Sequence, residues 1–211
     1  GYFAPSTYKV GLGFATVMMS GWGTGAFDFD NDGSKDIFIA NSNVSENIGH
    51  YSHYVYRLAN VVFKATANGR YRNVSAGAGS AMQRKRAHRG AAFGDLDNNG
   101  RVDVVVSAIG EPPAVLYNVS DAGHWITLRL QGSESNRDAL GARVKVTGAS
   151  GRVQHNHATT SVGYNSSSDR RIHFGLGADT AVREIEIRWP SGATQVLKNV
   201  VADQVLEVTE P

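Results

Sequence analysis

Two short acidic stretches of this sequence have the residue types and spacing of a metal-binding loop. The first, residues 28–36, reads DFDNDGSKD and has a glycine, Gly33, where the backbone must bend sharply. Calcium takes roughly six to eight oxygen ligands, and alternate residues of a tight loop can direct carboxylates to one centre. The spacing therefore predicts a calcium site with the ligands Asp28, Asp30, Asp32, the Ser34 carbonyl and Asp36.

The same pattern recurs in residues 95–103, which read DLDNNGRVD. The equivalent ligands are Asp95, Asp97, Asn99, the Arg101 carbonyl and Asp103. Neither copy has a glutamate at the twelfth position or flanking helical periodicity, so these are not EF-hands. Stretches rich in Asp, Asn and Gly also form ordinary turns. Two copies with matching spacing, each running into a β-rich segment, favour two calcium sites.

The composition excludes several other classes of protein. Of the 211 residues, 41% are hydrophobic and 24 are glycine, which is typical of a globular β protein with many turns. No apolar run approaches the roughly 20 residues of a membrane span. The net charge is only +2, and the basic run 84–89 has no interleaved aromatic residues, so we expect no nucleic-acid partner. The chain has no cysteine, which excludes disulfides.

Several features favour an extracellular or cell-surface location. The chain starts at Gly1 without Met or a signal-peptide core, which we interpret as a processed mature protein or a fragment. Tripeptides that match the N-glycosylation acceptor pattern begin at Asn43, Asn73, Asn118 and Asn165. Low-affinity calcium loops also suit the high calcium concentration outside cells.

Hydrophobic patterning predicts strands around each acidic loop. The segments 37–40 and 102–108, which follow the loops, are continuously apolar, as in strands covered on both faces. Residues 56–64 and 70–75 are predicted to form a hairpin through Asn68-Gly69. Further strands are predicted at 8–10, 14–19 and 115–117, with Pro112-Pro113 breaking the pattern before the last. Residues 1–121 thus hold a repeat with a period of about 67 residues, which indicates stacked or radially arranged β units.

From residue 124 the pattern changes to alternating apolar and polar residues. It is clearest in the segments 124–130, 142–147, 171–176 and 184–189. Alternation with one polar face indicates antiparallel strands that are packed on one side and solvated on the other. We predict an all-β chain with about two propeller-like blades in residues 1–121 and a small antiparallel β-sandwich in residues 122–211.

Specific motifs resemble two known families. The first part, with GWGTGAFDFDNDGSKDIFIAN and RGAAFGDLDNNGRVDVVVSA, resembles the FG-GAP/VCBS-type calcium-binding repeats of β-propellers. The second part, with HWITLRLQG, SNRDALGARVKV, SSSDRRIHFGLG and IEIRWPSG, resembles the ASPIC/UnbV domain. Together they resemble the C-terminal portion of cartilage-acidic-protein-like and UnbV-type proteins.

The resemblance implies a secreted or surface scaffold or adhesion module that is stabilised by calcium and has no catalytic activity. It assigns the same ten ligands. Asn99 replaces an aspartate of the family pattern, so we expect the second site to bind calcium more weakly.

Two blades cannot close a ring, and an open sheet presents unpaired backbone groups. The sandwich, the first 20 residues or a neighbouring copy can cover these edges. Strand addition from copy to copy gives an open filament when the rotation does not close. We therefore predict self-association, in a surface filament, or binding to other surface proteins.

Carbohydrate recognition is the alternative function, because aromatic side chains can stack on sugars. The candidates are Trp22, Trp125, Trp189, Tyr51, Tyr54 and Tyr164. An enzyme is less well supported. The pairs His50/His53 and His155/His157 lack a third zinc ligand with suitable spacing, and the serines of 166–169 lack a nucleophile-elbow context. We expect no catalysis.

Overall fold

The structure, a computed structural model, describes residues 2–211. The chain forms four β-sheets, as the all-β prediction requires. Blade 1 consists of β1 (Gly21–Phe27), β2 (Asp36–Asn41), β3 (Val61–Ala65) and β4 (Tyr71–Asn73), antiparallel and in that order. Blade 2 consists of β5 (His88–Gly94), β6 (Asp103–Ala108) and β7 (Glu111–Leu116). Each acidic loop joins the first two strands of its blade.

The two blades pack against each other through β1 and β5, and glycine permits the close approach. A Cβ atom on Gly23 would lie 2.2 Å from the backbone nitrogen of Ala91, and one on Gly25 would lie 2.5 Å from the Phe93 ring. The buried core between the blades consists of Phe38, Ala40, Met82, Ala91, Phe93, Val102, Val104 and Val106. The propeller-like arrangement predicted for this part of the chain is confirmed.

The remaining seven strands form the sandwich. They are β8 (His124–Gln131), β9 (Arg143–Gly148), β10 (Val153–His157), β11 (Ile172–Gly177), β12 (Ala181–Arg188), β13 (Thr194–Val201) and β14 (Gln204–Thr209). The inner sheet has the order β11-β8-β14, and the outer sheet has the order β10-β9-β12-β13. The predicted alternation is confirmed, since Ile126, Leu128, Ile185 and Ile187 are all buried in one core. One pair, β14 with β8, is parallel, which alternation alone cannot reveal.

Two details of the predicted strands are wrong. Residues 7–11 form turns and 13–16 a single helical turn, α1 (Gly13–Thr16), where strands are predicted. Gly11, at φ 90°, has a left-handed backbone that is incompatible with a regular strand. Pro112 and Pro113 lie inside β7 instead of breaking it. Proline is tolerated there because β7 is the outermost strand of its blade.

The edges of the blades are covered by other parts of the same chain. The loop 158–171, between β10 and β11, lies against the inner edges of both blades. Asp169 N–H donates to the carbonyl of Phe93 on β5 at 2.9 Å, and Phe93 N–H donates to Ser168 Oγ at 3.1 Å. On the outer edge of blade 1, Tyr71 N–H donates to the Val10 carbonyl at 2.8 Å. The sandwich and the first 20 residues therefore both contribute to edge protection.

Between residues 2 and 211, no helix has the length and apolar character needed to cross a membrane.

Candidate metal centres

Each acidic loop gathers three carboxylates around one point. In the first loop these are Asp28, Asp30 and Asp36, with one oxygen from each lying within 4.8 Å of the others. In the second loop Asp95, Asp97 and Asp103 form the equivalent cluster. Within residues 2–211, these are the only groups of three or more His, Cys, Asp or Glu side chains so arranged. The histidine pairs predicted as weak zinc candidates belong to neither.

The fifth-position ligands are turned toward the loop backbone. Asp32 Oδ1 accepts a bond from Ser34 N–H at 2.8 Å, and Asn99 Oδ1 accepts one from Arg101 N–H at 2.9 Å. The structure thus brings together six of the ten predicted ligands. Coordination by Asp32 and Asn99, and by the carbonyl oxygens of Ser34 and Arg101, stays a prediction.

The backbone of the two loops is held in the same way. Asp28 accepts bonds from the N–H groups of Asp32 (3.0 Å) and Gly33 (2.7 Å). Asp95 accepts them from Asn99 (3.0 Å) and Gly100 (2.8 Å). Gly33 and Gly100 have φ angles of 84° and 81°, which glycine adopts without strain. The repeat is therefore preserved in hydrogen bonding as well as in sequence.

The last carboxylate of each loop connects it to its blade. Asp36 Oδ1 accepts a bond from Ala65 N–H at 2.8 Å, and Asp103 Oδ1 accepts one from Asn118 N–H at 2.7 Å. These equivalent bonds fix each loop to the strand that follows in its blade.

Burial makes these carboxylates costly to ionise in the absence of a cation. Burial raises the pKa of Asp28 to about 7, and the neighbouring aspartates add to this while the bond from Gly33 N–H opposes it. Burial likewise raises the pKa of Asp36 to about 6 and raises the pKa of Asp95. In the first loop, Asp30 Oδ1 is buried without a hydrogen-bond partner. A divalent cation would supply the missing partner, and a set of carboxylates and carbonyls is the kind that calcium prefers. The residues fit calcium.

Both loops lie between the blades and the inner sheet of the sandwich. A Cβ atom on Gly175 of β11 would lie 2.0 Å from Asp28 Oδ2, and one on Gly100 would lie 2.0 Å from the Trp125 ring of β8. From the start of β10, Arg152 Nη1 donates to the Asp32 carbonyl at 2.6 Å. At these points the loops contact the sandwich directly.

Equivalent asparagines of the two loops contact neighbouring positions at one end of β11. Asn31 and Asn98 both have left-handed backbones, with φ angles of 55° and 58°. His173 Nε2–H donates to Asn31 Oδ1 at 2.8 Å, and Arg171 Nη1 donates to Asn98 Oδ1 at 2.6 Å. Arg171 Nη2 also donates to the Asp95 carbonyl at 2.5 Å. Because residues 171 and 173 are two apart, both side chains point to the same face of the inner sheet.

The hydrogen bonds around His173 fix its tautomer. Asn31 Nδ2 donates to the Gly100 carbonyl at 2.9 Å, so its Oδ1 is the acceptor that faces His173 Nε2. His173 Nδ1 then accepts from the Thr127 hydroxyl at 2.9 Å. Burial, with a smaller effect of the Arg171 charge, lowers the pKa of His173 to about 4. The ring is therefore neutral at pH 7.

This interface corrects one prediction and shows what sequence reasoning missed. Alternation along β8 and β11 predicts a solvated polar face, but Thr127 on that face is only 2% exposed. Arg171 and His173 contact the acidic loops and Thr127 bonds to His173, whereas Arg129 on the same face is exposed and pairs with Glu207. Alternation reports which face of a strand is polar, and a polar face can equally pack against a second polar surface. The sequence feature that could have indicated this interface is the asparagine repeated at the fourth position of each loop, Asn31 and Asn98.

The candidate glycosylation sites differ in accessibility. Asn73 and Asn165 are exposed, whereas Asn43 is buried. The Asn118 amide nitrogen, where a glycan would attach, donates to the carbonyls of Phe29 (2.7 Å) and Val102 (3.2 Å). Asn118 therefore joins the two blades, and modification there would break both bonds.

The tryptophans proposed as sugar platforms are largely occupied by protein contacts. Trp189 is buried in the sandwich core at 3% exposure. The Arg89 guanidinium lies 4.4 Å from the Trp22 ring centroid, and Tyr164 packs edge-on against the same ring. Trp125 packs over Gly100. Tyr51, Tyr54 and Tyr164 are exposed.

Comparisons with known proteins agree with this architecture. Residues 28–106 match the family model of the FG-GAP-like repeat, and residues 132–211 match that of ASPIC and UnbV. The chain is 26% identical over 193 residues to cartilage acidic protein 1 of Mus musculus, covering 88% of this chain and 28% of that protein. It is 27% identical over 191 residues to the Homo sapiens protein, covering 87% of this chain and 27% of the relative. The chain thus spans just over a quarter of the length of these relatives. The predicted resemblance is confirmed: a region that matches the FG-GAP-like repeat is followed in this chain by a region that matches ASPIC and UnbV.

Proposed function

We propose that this chain is a non-catalytic, extracellular structural or adhesion module in which two calcium ions join the blades to the sandwich. One observation carries the proposal. The same position of both acidic loops, Asn31 and Asn98, contacts the sandwich at the start of β11, through His173 and through Arg171, which precedes the strand, so both loops belong to the interface with the sandwich.

The electrostatics of the interface support a structural role for calcium. The first loop contains four aspartates and the second contains three, and the sandwich excludes water from part of each. Carboxylates in such surroundings repel one another unless a cation neutralises them. Each ion would therefore stabilise its loop and, through the loop, the contact with the sandwich. Binding to the native state alone contributes about 2.7 kcal/mol at a hundredfold excess over Kd.

An extracellular location is supported by the name of the relatives, cartilage acidic protein 1, and by the carboxylate-rich loops. Outside cells, calcium is abundant enough to saturate sites of modest affinity. Calcium would then be a permanent structural component of the module.

Self-association is our proposal for its partner, with other surface proteins as the alternative. The outer edge of β7 is the place for a second copy, because β7 ends a blade of three strands while blade 1 has four. The prolines of 112–113 block part of that edge and leave 114–116 available. Light scattering and negative-stain microscopy in calcium test this proposal, and a monodisperse monomer at high concentration contradicts it.

The calcium interface is tested by substituting a sandwich residue that is not a predicted ligand. Arg171→Met removes the contacts to the Asp95 carbonyl and to Asn98, which hold the second loop against the sandwich. Because Arg171 does not pair with a carboxylate of the cluster, we expect the loss of these contacts to outweigh the loss of its charge and to weaken calcium binding in the second loop. If the Arg171 contact strengthens calcium binding by some factor, thermodynamic linkage requires that bound calcium strengthen the contact between the loop and the sandwich by the same factor. Arg129→Met is the matched control, because Arg129 pairs with exposed Glu207 on the same sheet.

The measurements are isothermal titration calorimetry with calcium and thermal unfolding with and without EGTA. We expect EGTA and Asp30→Ala to lower the Tm, and Arg171→Met to weaken calcium binding while Arg129→Met leaves it unchanged. No heat of calcium binding and an unchanged melting curve in EGTA would refute the calcium proposal. Equal effects of the two arginine substitutions would refute the linkage.

A further inference from the structure

A lysine from blade 1 reaches into the first acidic loop. Lys64, on β3, forms an ion pair with Asp30, and its Nζ lies 3.8 Å from Asp32 Oδ2. Asp30 and Asp32 are predicted calcium ligands at the third and fifth positions. The ammonium group is therefore placed among the carboxylates that would hold the ion.

The second loop has no equivalent cation. Strand register identifies the matching residue: Phe63 pairs with Ile37 in blade 1, as Leu116 pairs with Val104 in blade 2. The next residues are Lys64 and Tyr117. Tyr117 is 59% exposed, and its neutral phenol cannot replace an ammonium group.

Lys64 also changes the charge balance between the loops. The first loop has one aspartate more than the second, which by itself favours calcium in the first loop. The charge of Lys64 cancels this difference. Lys64 pairs with Asp30 Oδ2, whereas the buried Oδ1 is the oxygen without a partner, so the ammonium group would oppose calcium by charge repulsion at close range.

We propose that Lys64 is a tethered cation that competes with calcium in the first loop and makes it the weaker of the two sites. The proposal rests on calcium binding, as set out above. Without calcium, Lys64 would neutralise part of the first carboxylate cluster, whereas in the second loop the nearby cation, Arg171, bonds to the Asp95 carbonyl and to Asn98 and not to a carboxylate of the cluster. The loops should then fill in order as calcium rises, the second before the first.

The test is calcium titration calorimetry on the full chain with two reciprocal substitutions. Lys64→Met removes the ammonium group and keeps a side chain of similar length. Since a hydrogen bond between charged groups shifts an equilibrium roughly tenfold, Lys64→Met should tighten binding in the first loop about tenfold. Tyr117→Lys introduces the competitor into the second loop and should weaken binding there. Asp97→Ala, which removes a predicted ligand of the second loop, assigns the transitions.

A stability measurement separates competition from a general structural role. Lys64→Met should lower the Tm in EGTA and leave the Tm in saturating calcium unchanged or higher. Unchanged or weaker calcium binding by Lys64→Met, with two ions still bound by the native chain, would overturn the role of Lys64 and leave the calcium proposal standing. No calcium binding by the native chain would overturn both.

Discussion

Asn31 offers a sharp test of the interface, because the repeat supplies its own control. We compare Asn31→Gly with Asn98→Gly. Both residues have left-handed backbones, at φ 55° and 58°, so glycine removes the side chain in each case without introducing strain. The two variants differ only in what the lost side chain contacts.

The contacts predict different losses of stability. Asn31 is 0% exposed and makes three hydrogen bonds, to Gly100 (2.9 Å), Gly123 (3.3 Å) and His173 (2.8 Å). Each buried bond contributes about 1 kcal/mol, so Asn31→Gly should cost about 3 kcal/mol. Asn98 is exposed and bonds to Arg171, where water can replace it, so its loss should cost about 1 kcal/mol at most.

Thermal unfolding followed by circular dichroism, at one saturating calcium concentration, measures the difference. For a chain of this length, 1 kcal/mol shifts the Tm by about 2–4 °C. We expect a decrease of about 6–12 °C for Asn31→Gly and of no more than about 4 °C for Asn98→Gly. Equal decreases would show that the Asn31 contacts with Gly100, Gly123 and His173 contribute little to the stability of the fold.

Three further predictions follow from other contacts. The contribution of His173 to stability should fall between pH 6.5 and about 4, because the folded state keeps the ring neutral while the unfolded chain protonates it. This loss is at most about 3 kcal/mol. The raised pKa values of Asp28 and Asp36 act in the opposite direction in the absence of calcium, so the His173 contribution is measured in saturating calcium, by urea unfolding, as the difference between the native chain and His173→Gln. Glu210 accepts bonds from the N–H groups of 133–135 and from Ser191, which lower its pKa to about 2, so its contribution should vanish as the pH falls from 4.5 to about 2. Glu210→Gln should accordingly lower the Tm at pH 7, whereas exposed Glu207→Gln should not. Gly175→Ala places a methyl group against Asp28 and should weaken calcium binding and lower the Tm, whereas Gly77→Ala meets nothing within 4 Å and should leave both unchanged.

The sequence contained most of the local information about this fold. Aspartate spacing located both carboxylate clusters, and alternation located the core faces of β8, β9, β11 and β12. Both signals are local, because they depend on residues within one loop or one strand.

The missing features depend on residues distant in sequence. Asn31 contacts Gly100 and His173, and Lys64 reaches Asp30 from a different strand. No periodicity within one segment encodes such pairs. Loop spacing alone predicts that the second site is weaker, whereas the position of Lys64 points to the opposite order.

The sandwich protects the blades at two places that depend on each other. Its loop 158–171 bonds to the edge of β5 through Phe93, while its inner sheet packs on the acidic loops. Loss of calcium would restore repulsion among the loop carboxylates and weaken the second contact. Because both contacts come from the same sandwich, we expect the edge of β5 to be exposed as well. An uncovered edge strand is a template for pairing between chains. Calcium removal should therefore promote irregular aggregation through inner edges, whereas ordered association in calcium would be restricted to the outer strands.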